Sequence, residues 1–203
     1  MFRDSNVLLV HRPIAAGRAA LFLDRDGVIN VDTGYVSDPE SVVLLPGAAA
    51  MISAFNSAYW PVIVVSNQSG YGRAYFSRGQ MLAVQERIEE LLSESGAYLD
   101  AVFFCGVAPE QTGALATWRK PEPGMLLAAK ALFDVDLAAS VLVGDKVSDL
   151  EAADRAGLRA MYLVNDRGAL PANCGLPAVI AHDLGTIRPP LSYNLSLRGL
   201  PDV

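Results

Sequence analysis

Apolar residues occur along the chain in short unbroken runs, and between the runs they recur at helical spacing. The runs are residues 20–24 (ALFLD), 61–67 (PVIVVSN), 100–106 (DAVFFCG), 140–145 (SVLVGD) and 159–165 (RAMYLVN). Near-continuous apolarity without alternation predicts strands buried on both faces, as in a parallel sheet. The intervening stretches 46–58, 77–95, 123–133 and 147–157 predict helices. In the second of these, Met81, Val84, Ile88 and Leu91 form one stripe, while Glu86, Arg87, Glu89 and Glu90 face away. Ser77 reads as its N-cap and Gly96 as its C-cap, and Pro46 and Gly157 punctuate two other helices.

Strand and helix in alternation predict an α/β fold. The expected form is Rossmann-like and doubly wound, a mainly parallel sheet with helices on both faces. Ligands of such sheets bind outside the carboxyl ends of the strands. The expected organisation is a single domain over 1–203, with a core at about 18–184 and an irregular tail at 185–203 containing "RPP". The opening "MFRDSNVLLVHRP" has an apolar run too short for a signal peptide or a membrane span, and reads as an irregular or edge segment.

Composition narrows the function classes. The 203 residues are 52% hydrophobic and 19% charged, which suits a globular chain with a sizeable core. A net charge of -6 without a long basic run argues against non-specific nucleic-acid binding, but leaves room for a local basic pocket. The two cysteines, Cys105 and Cys174, form no CxxC pair and read as free thiols in a reducing cytoplasm.

Candidate chemistry gathers at the strand ends. The first run closes on two acids, Asp24 and Asp26, around Arg25. Residues two apart in extended backbone point the same way, so both carboxylates are expected to converge and to need a cation or a shared proton. Magnesium suits a few hard oxygen ligands plus phosphate. Alone, the pair could merely cap the following turn. "VVSNQSG" ends the second run on Ser66 and Asn67, which can donate to phosphate oxygens. "WRKPEPGM" sets Arg119 and Lys120 before a helix, and "VGDKVSDLEAA" ends a strand on Asp145 beside Lys146, with Asp149 opening the next helix.

Taken together, these patches resemble the motifs of the haloacid dehalogenase superfamily of phosphohydrolases, over roughly residues 20–165. The aspartate pair with "DGVIN" resembles the first motif, Ser66 the second, Lys120 the third, and Asp145 with Asp149 the fourth. "FLDRDGVIN", "DTGYV", "SNQSG" and "RKPEPGM" are similar to the branch of heptose-bisphosphate phosphatases and histidinol phosphatases. The resemblance implies a HAD-like fold without a large cap domain, since the stretch between Asp26 and Ser66 is too short to hold one. It implies a Mg²⁺-dependent hydrolase acting through an aspartyl-phosphate. Asp24 would be the nucleophile and Asp26 the general acid and base. Asp24, the Asp26 backbone carbonyl and Asp145 would be the metal ligands. Ser66 and Lys120 would bind the transferring phosphate.

The implied substrate is a small phosphorylated sugar, foremost the 7-phosphate of D-glycero-D-manno-heptose 1,7-bisphosphate. Histidinol phosphate is the alternative, and a phosphosugar-binding domain without catalysis or a receiver domain are the other classes. Asp32, Gly34 and Tyr35 would meet the sugar. Asn67, Gln68, Ser69, Arg119 and Lys146 would complete the binding site, with Arg73 at the rim and Arg119 on a second phosphate. Asp149 would orient Lys146 or a metal-bound water. Many members of the branch bind zinc through cysteines and a histidine before the Arg-Lys pair. In "CGVAPEQTGALATWRK" only Cys105 stands in such a position, so no zinc is expected, and Leu115 and Trp118 are expected to hold the loop by apolar contacts. A monomer without nucleic-acid or membrane partners completes the expectation.

Overall fold

A computed structural model describes residues 5–165, 170 and 174–190. Its strands are β1 (Asn6–Val10), β2 (Leu21–Leu23), β3 (Val62–Asn67), β4 (Ala101–Cys105), β5 (Val141–Gly144), β6 (Ala160–Val164) and β7 (Val179–Ala181). They form one sheet in the order β1-β4-β3-β2-β5-β6-β7. Every neighbouring pair is parallel except β1 with β4. All five apolar runs became strands, and each strand lies inside its run.

Side chains alternate between the two faces, and each face is covered. Leu21, Leu23, Val62, Val64, Val102, Phe104, Val141 and Val143 pack beneath helices α1 (Ala48–Ser57) and α3 (Arg78–Ser93). Ala20, Phe22, Ile63, Val65, Phe103 and Leu142 pack beneath α4 (Gly124–Phe133) and α5 (Val147–Ala156). A short helix, α2 (Ser69–Gly72), follows β3. Burying each large apolar side chain contributes about 1.5–3 kcal/mol, so a sheet with two dry faces makes a firm base for the residues at its rim.

Helix α3 starts as expected. The Ser77 hydroxyl accepts from the Gln80 amide at 3.2 Å, and the Gln80 side chain accepts from the Ser77 amide at 2.9 Å. Its buried stripe is Met81, Val84, Ile88 and Leu92. Leu92 takes the deepest place where Leu91 was expected, because steps of three, four and four residues follow the 3.6 period better.

Two strands went unread. The N-terminal segment, read as irregular or edge, forms the edge strand itself and pairs antiparallel with β4, from Asn6 opposite Cys105 to Val10 opposite Ala101, so the sheet begins well before residue 18. Strand β7 lies at the other edge of the sheet and only Ala181 in it is fully buried, so it lacks the two-sided burial that marked the equally short β2. The expected tail is ordered at its start. Leu184–Thr186 form a 3-10 turn and Ile187 is buried against the first apolar layer, while 191–203 fall outside the described residues. No inserted cap interrupts the fold. Between β2 and β3 lie a 3-10 turn (Pro39–Ser41) and α1; between β3 and α4 lie α2, α3, β4 and the 3-10 turn Ala114–Trp118. Among the described residues, no helix is long and apolar enough to cross a membrane.

Candidate active site

Strand order sets the chemistry. β3, β2 and β5 are adjacent and parallel at the middle of the sheet. Their carboxyl ends therefore present Ser66, Asp24 and Asp145 side by side. The Asp24 amide donates to the Val143 carbonyl at 3.0 Å, which ties the acid to β5 just beyond the last strand residue. One oxygen each from Asp24, Asp145 and Asp149 lies within 4.8 Å of the others. Asp149 reaches this cluster because Gly144 lets α5 approach. A Cβ at 144 would stand 2.3 Å from the Asp149 Cβ.

Lys120 enters the cluster from the loop before α4. Its ammonium lies 2.6 Å from Asp149 Oδ1 and 3.0 Å from Asp24 Oδ1, and the side chain is buried. Burial opposes its charge, but Asp149 and Asp24 outweigh this and hold its pKa above the ordinary value. Asp149 was expected to orient Lys146 or a metal-bound water. Its Oδ1 holds Lys120, a pairing not foreseen, and its Oδ2 accepts from the Lys146 backbone amide at 2.9 Å. Asn67 also serves the lysine. Its Oδ1 accepts from the Lys120 amide and its Nδ2 donates to the Lys120 carbonyl, both at 3.0 Å. Those bonds place the Asn67 amide on the lysine backbone, where donation to phosphate had been expected.

Burial pushes the Asp24 carboxyl up to about 7, helped by Asp149, Asp145 and Asp26 and opposed by Lys120. Burial also raises Asp145. Asp26 goes the other way. Burial opposes its charge, yet it is held below the ordinary range by the Arg25 guanidinium and by Asn30 and Gln68. Arg25 Nη2 lies 2.9 and 2.8 Å from the two Asp26 oxygens, and Asn30 Nδ2 and Gln68 Nε2 add bonds of 3.0 and 2.8 Å. Of the two acids it is therefore Asp24 whose carboxyl is pushed up and Asp26 whose carboxyl is held down. The residue that decides this is Arg25, whose side chain is fully buried. A charged residue at the end of an apolar run was the available signal.

The acid cluster suits a divalent cation. Its donors are hard oxygens, and Asp145 Oδ1 is buried without a hydrogen-bond partner. The turn beside it is built for close approach. Gly27 has φ +86, and a Cβ there would lie 2.5 Å from Asp145 Oδ2.

Asp24, Asp26 and Asp149 line the floor of a cavity of about 660 Å³. Asp32, Gly34, Tyr35, Ser66, Asn67, Gln68, Ser69, Arg119, Lys120 and Lys146 all line it; Pro109, Gln111, Glu122 and Ser148, to which the sequence reading gave no role, line it too. Lys146 Nζ stands 3.2 Å from both Asp32 and Asp145. Arg73 pairs with Glu110 at 2.8 Å and donates to the Tyr35 hydroxyl at 2.9 Å, which joins three loops at the rim. Arg119 donates to the Val107 carbonyl at 2.9 Å. Among the described residues it has no carboxylate at ion-pair distance, and burial lowers its pKa.

The loop after β4 rests on apolar contact. Leu115 and Trp118 pack against the second layer, with the Trp118 ring centroid 5.4 Å from that of Phe103. The Cys105 side chain is buried in the same layer, and burial pushes its thiol up.

Comparison with known proteins agrees with this geometry. The HAD-hydrolase-like family model matches residues 117–185. The chain is 46% identical over 155 residues to the D-glycero-beta-D-manno-heptose-1,7-bisphosphate 7-phosphatase of Mesorhizobium japonicum, covering 74% of this chain and 71% of that protein. It is 42% identical over 165 residues to the D-glycero-alpha-D-manno-heptose-1,7-bisphosphate 7-phosphatase of Burkholderia mallei, covering 79% and 87%. Its fold matches the crystal structure of the D,D-heptose 1,7-bisphosphate phosphatase of B. bronchiseptica complexed with magnesium and phosphate. The TM-score there is 0.74 and the identity 37%, over 82% of this chain and 94% of that one. The chain belongs to the haloacid dehalogenase-like hydrolases, in the phosphoric monoester hydrolase branch of the heptose-bisphosphate phosphatases.

Proposed function

We propose that the chain removes the 7-phosphate of a D-glycero-D-manno-heptose 1,7-bisphosphate. The observation that carries this reading is one cavity lined both by Asp24, Ser66 and Lys120 and by Arg119. Among the described residues the Arg119 guanidinium has no carboxylate at ion-pair distance, which suits it to a second phosphate. The names of the relatives support the same substrate.

In this reading Asp24 attacks phosphorus and forms an aspartyl-phosphate while the sugar oxygen leaves. Lys120 and the Ser66 hydroxyl hold the equatorial oxygens as their charge shifts. Asp26 donates a proton to the leaving oxygen, then takes one from the water that opens the acyl-phosphate. In the resting fork both of its oxygens only accept hydrogen bonds, so to act as the acid it must turn away from Arg25 and first take up a proton from solvent water. Asp24, Asp145 and the Asp26 backbone would hold Mg²⁺, which when bound offsets the charge of phosphate and of the clustered carboxylates. Lys146 holds Asp145 and Asp32 together beside that position.

Catalytic efficiency on the α- and β-heptose 1,7-bisphosphates and on histidinol phosphate, each with Mg²⁺, tests the reading. The expected result is preference for one heptose bisphosphate. Equal or better turnover of histidinol phosphate would overturn it.

A further inference from the structure

We infer that Gln68 is a positioning residue that turns the Ser66 hydroxyl hydrogen toward the substrate phosphate, an inference that rests on the phosphatase reading. Gln68 stands just past the end of β3, two residues after Ser66, and its side-chain nitrogen lies 3.0 Å from Ser66 Oγ. Its backbone amide donates to the Cys105 carbonyl at 2.7 Å, which anchors it, and its side chain is buried.

The direction of the amide follows from its neighbour. Asp26 Oδ2 accepts from Arg25 Nη2 at 2.8 Å, and the nitrogen of the Gln68 amide faces the same oxygen, also at 2.8 Å. The same nitrogen has a second hydrogen, and Ser66 Oγ lies 3.0 Å away. Ser66 is therefore an acceptor toward Gln68. A hydroxyl has a single hydrogen, and here it cannot point at the amide. Among the described residues no acceptor takes it. Ser66 is buried but lines the cavity, so the hydrogen is directed to where a phosphate oxygen arrives. Without Gln68 the hydroxyl could turn to Asp26 Oδ2 and become a donor to the wrong anion.

The test uses 4-nitrophenyl phosphate, whose leaving group departs without help from an acid; any effect of the Gln68–Asp26 contact on the later hydrolysis of the acyl-phosphate is common to both Ser66 backgrounds and cancels in their comparison. Gln68→Met and Gln68→Glu are each made in the unaltered chain and in Ser66→Ala. In the unaltered chain Gln68→Met should lower kcat/KM on the order of tenfold, mainly in kcat, with the melting temperature kept. Gln68→Glu should lower it further, because a carboxylate accepts the Ser66 proton. In Ser66→Ala the Gln68→Met loss should shrink to about twofold or less. Equal losses in both backgrounds, or no loss in the unaltered chain, would overturn the inference while leaving the phosphatase reading intact. Absence of any turnover by the unaltered chain would overturn both.

Discussion

Replacing the proposed nucleophile with its neutral isostere, Asp24→Asn, should abolish turnover and make the metal-free protein more stable. The folded-state pKa of Asp24 lies at about 7, against an ordinary 3.8. A raised acid pKa means that the folded chain holds the proton more tightly than the unfolded one. As pH climbs past 3.8 the unfolded chain ionises first, and folding loses stability until the folded carboxyl also ionises near 7. About three pKa units at 1.36 kcal/mol each amount to ~4 kcal/mol at pH 8. Neutral Asn avoids that cost while keeping the shape. For a chain of this size, ~4 kcal/mol corresponds to a rise of roughly 8–16 °C in Tm. The assay is thermal unfolding in EDTA from pH 4 to pH 8, on both proteins. The gain of Asp24→Asn should be near zero at pH 4, grow to pH 7 and then level off. Magnesium should raise the Tm of the unaltered chain and have much less effect on Asp24→Asn. A variant less stable than the unaltered chain at pH 8, or a gain independent of pH, would refute the electrostatic reasoning.

Arg119→Ala should lower kcat/KM on the heptose bisphosphate by one to two powers of ten, about 1.5–3 kcal/mol, and change turnover of 4-nitrophenyl phosphate far less; steady-state kinetics on the two substrates separate a distal-phosphate role from a role at the reacting centre. Gly27→Ala should raise the magnesium concentration for half-maximal activity by about 10–100-fold, because the added methyl displaces Asp145; a magnesium titration checks this. Metal analysis of the purified protein should find zinc well below one per chain, and stoichiometric zinc would contradict the reading of the loop after Cys105.

The central strands were legible because burial on both faces leaves a run with no polar interruption, and a motif at the end of such a run sits at the sheet rim. Asp24, Ser66 and Asp145 were placed correctly for that reason. The partners that set their behaviour were less legible. Asn67 finds Lys120 across 53 positions and bonds its backbone, which carries no side-chain signature. The Asp149–Lys120 pair depends on how closely α5 approaches over Gly144. Arg25 was hidden in plain view, since an arginine between two acids looks like a surface residue until the strand is known to be buried. Strand β7, at the sheet edge with Val179 exposed, lacks the two-sided burial that made β2 legible at the same length.

Alternation along β2 carries a consequence for how the chain can change length. Even-numbered Ala20 and Phe22 face the layer of α4 and α5, and odd-numbered Leu21 and Leu23 face that of α1 and α3. Asp24 comes next in the same count. One residue inserted ahead of it would swap the two layers and turn the nucleophile half a step round the strand, so a single error in frame would cost folding and chemistry together. The rim loops that carry Tyr35, Arg73 and Glu110 lie outside this parity. New substrates can therefore be admitted by lengthening or shortening those loops, while the run that ends at Asp24 stays locked to its length.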